Sequence, residues 1–362
     1  MEGFTLFDTV VLIGYISLIA WIGSRFGKDQ HNPEDYFLGG RKIPGWAIGL
    51  SVMATQASAI TFIGAPGWGF EGGLERLVTF INVPLAMIVL ILVLVPIFHR
   101  AGIYSIYELL ERRFGPATRT FTALLFLVAR GLATGVVLYA PALVLAVVTG
   151  WSVNLTIIIM AVLAISYTVM GGISAVIWTD VLQVFVLIGG ALLCLIVTVQ
   201  DVGGWAVMIE SAQVADKFHI FDWRWSSSDM VAWVLMVGFL FTNLVPYTSD
   251  QTVIQRYLTT PDEKQAAKGL WLNLIITIPT GLLFYGLGTA LYVYYTSHPL
   301  EQAMLPAATD QLVPWFVVTH LPSGVAGVVV AAIFAAAMSS LDSSMNSISA
   351  AVVNDFVGRF SA

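Results

Sequence analysis

The sequence predicts an all-α polytopic membrane protein, and three observations carry that prediction. The chain of 362 residues is 58% hydrophobic and only 10% charged, with a mean hydropathy of +0.85, far above an ordinary water-soluble domain. Its apolar residues gather into nine runs, each long enough for a helix that crosses roughly 30 Å of hydrocarbon, which takes about 20 residues. Lys and Arg are shared unevenly among the segments that join those runs.

The first run, 6–24, follows Met1 and Glu2 without a basic leader, and no small-residue cleavage site succeeds it, so it reads as a retained helix. The others lie at 44–70, 77–98, 120–149, 152–170, 176–200, 229–257, 267–296 and 323–357. Several exceed the minimum, which leaves room for tilt, a break or an extension into water. Alternation of nine spans puts Arg25, Lys28, Arg41, Lys42, Arg100, Arg112, Arg113, Arg119, Arg256, Lys264, Lys268 and Arg359 on one side. Arg76, Lys217 and Arg224 fall on the other, and Arg130 lies within a span, which accounts for all 16 basic residues. That bias places the first side in the cytoplasm and the N-terminus outside. The stretch SIYELLERRFG, 105–115, is charged and amphipathic and reads as a helix lying on the cytoplasmic face. Residues 201–228, with Trp205, Trp223 and Trp225, read as an outer loop whose indoles suit the headgroup region.

Several function classes fall away at this point. The net charge of −6 and the absence of a basic patch count against nucleic acid as a partner. Cys194 is the sole cysteine, so no disulfide framework exists, and its apolar setting reads as a small buried hydrophobe. His31, His99, His219, His298 and His320 show no ligand spacing, and no HExxH, GxSxG or phosphate-cradling glycine loop occurs, which argues against an enzyme.

What remains is the chemistry inside the spans, where an ionisable group costs about 2.5–3.5 kcal/mol on insertion scales and so marks function or an internal ion pair. Arg130, Asp180, Asp250 and Asp342 lie within or near spans. For Asp250, near the cytoplasmic end of its span, the internal pair is the stronger reading; Arg130 divides evenly between such a pair and a vestibule role. In AAAMSSLDSSMNS, 335–347, helical spacing sets Ala336, Ser339, Ser340, Ser343 and Ser347 on one face, bordered by Asp342 and Asn346. Hydroxyls and backbone carbonyls are hard donors of the kind a Na⁺ ion accepts. A single serine would read as bonded back to its own helix, but the stretch's five serines, four of them on this face beside a carboxylate, favour a cation.

A second wall for such a site is offered by SVMATQASAITFIGAPGWGF, 51–70, where Gly64, Pro66, Gly67 and Gly69 weaken the helical ladder and can free carbonyls toward a cavity, or simply kink or end the span. Another interrupted span is FTNLVPYTSDQTVIQRYL, 241–258, with Pro246 ahead of a polar run. Two interrupted spans, the second and seventh, suggest an inverted repeat.

These stretches, in order, resemble those of the sodium:solute symporter family. The likeness runs from about residue 6 to 357 and rests on DYFLGGRKIPGW (35–46), ATQASAITFIGAPG (54–67), GVVLYAPALVLAVVTG (135–150), YTVMGGISAVIWTDVLQ (167–183), DQTVIQRYL (250–258) and SSLDSSMNS (339–347). The resemblance implies a five-plus-five inverted-repeat transporter bundle with one extra N-terminal helix: 6–24 as the extra helix, 44–200 as the first repeat and 229–357 as an incomplete second one, all in a single transmembrane domain over 1–362. Eight core helices instead of ten suggest a chain cut short at the C-terminus.

By position, the resemblance also implies a principal Na⁺ site from the backbone carbonyls of Ala54, Ala57 and Ala336 with the hydroxyls of Ser339 and Ser340. A second cation site would use Asp180, Ser339, Asp342 and Ser343, and Asp342 stands where a serine or threonine is expected. Two carboxylates that close repel unless a second Na⁺ or a shared proton lies between them. Gln56, Thr61, Asn82 and Asn243 would line the solute pocket, each also open to a plain helix-to-helix hydrogen bond. GVVLYAPAL and the glutamine of ATQASA look closest to the monocarboxylate, vitamin and iodide branch; Phe80 stands where sugar carriers tend to have an acid.

The expectation is therefore a Na⁺-coupled symporter that imports a small organic solute, a carboxylate or vitamin-like anion, from a plasma membrane of the bacterial inner-membrane type. It needs no cofactor beyond the coupling ion; its partners are Na⁺, the solute and lipid, with the oligomeric state open. A sugar or other neutral solute, a proton-coupled variant, and more remotely a channel or sensor on this scaffold are the alternatives.

Overall fold

The computed structural model describes residues 4–226 and 231–358. Arg359, on which the topology count drew, the first residues of the chain, and the 227–230 stretch shared by the outer loop and the seventh span lie outside those residues.

Helix α1, Leu6–Arg25, opens with a capping box in which Thr5 and Asp8 satisfy each other's backbone. Asp8 also accepts from the N–H groups of Gly324 at 2.7 Å and Gly327 at 2.8 Å, which pins the extra helix to the start of the last one. A short helix α2, Pro33–Leu38, precedes α3, Gly45–Gln56, and α4, Ala59–Gly72. These last two form one span bent by 64°.

The break in that span corrects the sequence reading. It falls at Ala57, whose φ of −84° and ψ of 76° leave the helix, and Ser58 caps the new one. α4 instead runs straight through Gly64, Pro66, Gly67 and Gly69. Gly67 and Gly69 serve packing: a Cβ at Gly67 would lie 2.8 Å from the Thr309 carbonyl oxygen, one at Gly69 2.4 Å from that of Tyr285, and one at Gly288 only 2.0 Å from that of Pro66.

The span Glu75–Ala101 (α5) begins in 3₁₀ turns and carries a π turn at Leu90–Leu94. The charged, amphipathic stretch 105–115 forms a helix, α6 at Ile106–Phe114, which leads into α7, Pro116–Thr149. Helix α8, Val153–Val202, holds 50 residues, far more than one crossing of roughly 30 Å uses at 1.5 Å per residue. Gly172 divides it with φ of 55°, a conformation that favours glycine, where a Cβ would also meet the Tyr36 carbonyl at 2.5 Å. The fifth and sixth runs of the sequence are its two arms.

The segment after α8 contains α9, Trp205–Val214, with Trp205, Trp223 and Trp225 exposed. Then follow α10, Ala232–Ser249, and α11, Gln251–Leu258, separated at Asp250, whose side chain caps α11 by accepting from Thr252 N–H at 2.8 Å. Pro246 lies inside α10, one turn before the break that it helps to set. α12, Glu263–Ser297, α13, Leu312–His320, and α14, Val325–Val357, complete the described chain.

α14 is the axis of the bundle: its most apolar stretch is 89% buried, against 28% for α1 and for α7. The serine-rich face therefore looks into protein, packed on α8 above all, with α7, α1 and both arms of the bent span around it. Cys194 is buried in this core, as its setting predicts.

Candidate functional site

The site begins where α3 ends. Ser58 N–H, which would close an α-helical bond to Ala54, turns instead to the Gln56 carbonyl, so the ladder opens at the carbonyls next to Ala57. The Thr55 hydroxyl stands 3.4 Å from that of Ser343, which sets this opening against the serine face of α14. Ala54, Ala57, Ala336, Ser339 and Ser340 are all buried. Three of the neighbouring serines bond locally: Ser343 Oγ donates to the Ser339 carbonyl, Ser344 Oγ to that of Ser340, and Ser347 Oγ to that of Ser344. Ser340 differs, because its buried Oγ has no hydrogen-bond partner. A buried hydroxyl without a partner loses about 1–3 kcal/mol of solvation, which a ligand can restore.

Beside this lies a charged core. Asp180, on the second arm of α8, accepts from Ser51 Oγ and Ser339 Oγ, each at 2.5 Å, and from Arg256 at 2.9 Å. Arg256 also donates to Ser51 at 2.7 Å and to Ser343. Both ionic side chains are withdrawn from solvent, 1% exposed for Arg256 and 0% for Asp180. The break at Asp250 turns α11 inward, so Arg256, counted by sequence among the charges of one membrane face, is buried against α8. Its guanidinium lies beside Asp180 and Ser343, two members of the second cation set that the resemblance implied. Asp342, the remaining member of the set, accepts from Tyr167 Oη at 2.8 Å and from Ser343 N–H at 2.7 Å.

Arg130 joins α7 to the break at Asp250 and to α14, reaching Asp250 at 3.2 Å and Ser344 Oγ at 3.0 Å. For Asp250 the internal ion pair is the reading that holds.

Next to the bend is a cavity of about 330 Å³. Its polar lining is made of amides and hydroxyls, among them Gln56, Thr61, Asn243 and Tyr247, and its apolar walls include Trp68, Phe80 and Phe284; no charged side chain is among the residues that line it. Gln56 Nε2 is buried without a partner, whereas Asn243 Nδ2 donates to the Thr79 carbonyl at 3.1 Å. Asn82 is not at the wall. It is buried with its amide donating to the Met236 carbonyl, a helix-to-helix bond, while Thr79, Phe80 and Val83 of the same span face the cavity. Tyr247 and Thr280 went unnoticed in the sequence, since a tyrosine or threonine in an apolar helix carries no pattern of its own.

Comparison with known proteins agrees with this architecture. The profile of the sodium:solute symporter family matches residues 36–361. The sodium/sialic acid symporter SiaT of Proteus mirabilis is 39% identical over 368 residues, covering 100% of this chain and 73% of that protein. The human sodium-coupled monocarboxylate transporter 2 is 31% identical, covering 99% of this chain and 59% of its own length. Among solved structures, a substrate-bound outward-open state of a Na⁺-coupled sialic acid symporter superposes with a TM-score of 0.94 at 37% identity, over 99% of this chain and 76% of that one. The nucleobase-cation-symport-1 transporter Mhp1, at 14% identity and a TM-score of 0.56, shares the fold alone.

Proposed function

The chain belongs to the sodium:solute symporter family, and from that premise we propose that it imports a small organic solute across a bacterial inner membrane, N-terminus outside, driven by inward Na⁺ movement. The working unit is an alternating-access bundle in which 44–200 is the first repeat and 229–357 part of the second. The observation that carries the reading is the broken helix at Ala57 facing a serine whose buried hydroxyl is unpartnered. Na⁺ would be held by the carbonyls of Ala54, Ala57 and Ala336 and the hydroxyls of Ser339 and Ser340. Such a site joins two elements that part when the carrier turns inward, so the ion favours the outward-open form and raises solute affinity, with reciprocal coupling.

The cavity beside the break is the solute site, with Gln56, Thr61 and Asn243 as its polar contacts. A small carboxylate is supported by the similarity to sialic acid and monocarboxylate carriers. A neutral solute such as a sugar is the second reading, and the uncharged lining favours it.

The test is the thermal midpoint of the purified chain as Na⁺ replaces K⁺ at constant ionic strength, in wild type and Ser340→Ala. A Na⁺-specific rise that the variant loses supports the site, since a ligand bound only to the folded state stabilises it by mass action. An equal response to both ions in wild type would sink it. Uptake into vesicles of radiolabelled sialic acid, lactate and glucose, with the Na⁺ or the proton gradient collapsed in turn, then separates solute class and coupling ion.

A further inference from the structure

The cavity beside the helix break has no charge on its wall, yet a cation stands at its rim. Arg76 lies on the 3₁₀ turns that open α5. In such turns side chains three apart eclipse, so Arg76 shares a row with Thr79, which lines the cavity. Its guanidinium sits 4.7 Å from the ring centroid of Trp68, a second wall residue. It is also near enough to the phenol of Tyr285, a third, to act on it electrostatically. Three residues of the wall thus fix where this charge stands.

The charge is also uncommitted. Among the described residues no carboxylate lies within ion-pair distance of Arg76. The acids nearest in sequence are turned elsewhere: a Glu75 carboxylate oxygen lies 3.5 Å from where a Cβ on Gly72 would stand, and Glu71 accepts from the Thr309 hydroxyl at 3.1 Å. Stacking on an indole engages the face of a guanidinium and leaves the N–H groups along its edge open, and those form the fork that matches a carboxylate. Arg76 is half-buried, so an ion pair formed there is screened less than one in open water. Nor would an anion meet repulsion further in, because no acidic side chain lines the cavity.

We infer that Arg76 is the residue that selects an anionic solute: stacked on Trp68 at the rim, it receives the solute's carboxylate, while the neutral body of the solute lies against the amides and hydroxyls inside. This rests on the reading of the cavity as the solute site and narrows its solute to a carboxylate. It also removes the tension between an uncharged lining and relatives that carry acids, since the charge that recognises the anion sits beside the lining instead of in it. In the topology proposed above Arg76 is on the outer side, where an entering anion meets it first.

Initial rates of Na⁺-driven uptake into vesicles bearing the full chain test this, with radiolabelled sialic acid, lactate and glucose, in wild type, Arg76→Gln, Arg76→Lys and Gln56→Ala. Wild type should take up at least one of the two carboxylates. Arg76→Gln should raise the half-saturating concentration of that carboxylate at least about tenfold at an unchanged maximal rate, because a charge-assisted hydrogen bond is lost, and should leave any glucose uptake as it was. Arg76→Lys keeps the charge without the fork or the stacking plane and should fall between the two. Uptake of neither carboxylate by wild type overturns the inference, as does equal carboxylate affinity in wild type and Arg76→Gln. A purely structural role would lower the maximal rate and the thermal midpoint for every solute alike, and that result overturns it too. Should Arg76→Gln fail to fold, Arg76→Lys decides, and unchanged carboxylate affinity in it overturns the inference. Gln56→Ala keeps the readings apart: weakened uptake there with none in Arg76→Gln sinks only the role of Arg76, whereas no effect in either moves the solute out of this cavity.

Discussion

The guanidinium of Arg256 lies 2.9 Å from the carboxylate of Asp180, joining α11 to α8 across the centre of the bundle with both side chains out of water. Removing one partner of such a pair leaves an unpaired buried charge. Arg256→Ala should therefore cost about 3–5 kcal/mol, whereas Arg256→Met combined with Asp180→Asn should recover most of it. Thermal midpoints in detergent form the double-mutant cycle, and strictly additive losses would contradict the pairing.

Gln56 presents an unpartnered amide nitrogen to the cavity beside the helix break. If that donor contacts the solute, Gln56→Ala should raise the half-saturating solute concentration about tenfold, the loss of one hydrogen bond of about 1.4 kcal/mol, while leaving Na⁺-dependent stabilisation intact. Loss of the sodium response together with solute affinity would move Gln56 from the solute to the ion or the fold.

Close helix crossings give a prediction independent of ions. Because a side chain on Gly288 would press on the Pro66 carbonyl, Gly288→Ala should destabilise by about 1–3 kcal/mol in K⁺ and Na⁺ alike. Gly286, whose added Cβ meets nothing within 4 Å, is the control, and Gly286→Ala should be near neutral.

How far the sequence could be read follows from these same residues. Long apolar runs, the serine face and the interruption near Asp250 were legible because hydropathy and the 3.6-residue period survive tertiary context. The break at Ala57 was not, since ATQAS holds neither Gly nor Pro and Ser58 is its only local sign, while the Gly and Pro residues two to three turns later lie within α4, where Gly67 and Gly69 serve packing. Arg256 was misplaced for a related reason. Counting charges by loop assumes straight spans, and a helix that breaks at Asp250 delivers its arginine to the interior.

In the segment after α12, Glu301 accepts from Tyr294 Oη at 2.8 Å and lies 2.6 Å from His320 Nε2, tying that segment to α13. Burial pushes its carboxyl up, but the Tyr294 and His320 contacts outweigh that, and the net direction is below the ordinary 4.5. The folded state then binds protons less readily than the unfolded one, so the stabilisation is complete above pH 4.5 and fades as pH falls through the depressed folded value. Hydrogen exchange of 299–320 should accelerate in that acid window, and Glu301→Gln should remove the acid-dependent part. An acid response unchanged in Glu301→Gln would point to another group.

Helix α6 is held by ionic contacts as well as by the burial of Ile106 and Tyr107. Arg119 reaches Glu111 at 2.6 Å, Asp355 at 2.7 Å and Glu108 at 3.7 Å, so a single guanidinium joins α6 to the end of α14. Ser105 Oγ donates to the same Asp355 at 2.7 Å, and the Gln251 side chain accepts from Ile106 N–H at 3.0 Å and donates to the Tyr104 carbonyl at 3.0 Å. Deleting the guanidinium leaves Asp355 buried without its counter-charge and frees one end of α6, while the Gln251 contacts keep the other. Arg119→Ala should thus raise hydrogen exchange across 106–114 by at least about tenfold, with little change in α8 or α12. Arg119→Lys keeps the charge but not the fork and should fall between the two. Uniform exchange across α6 and the core in Arg119→Ala would mean that Arg119 supports the whole fold and that α6 has no separate opening.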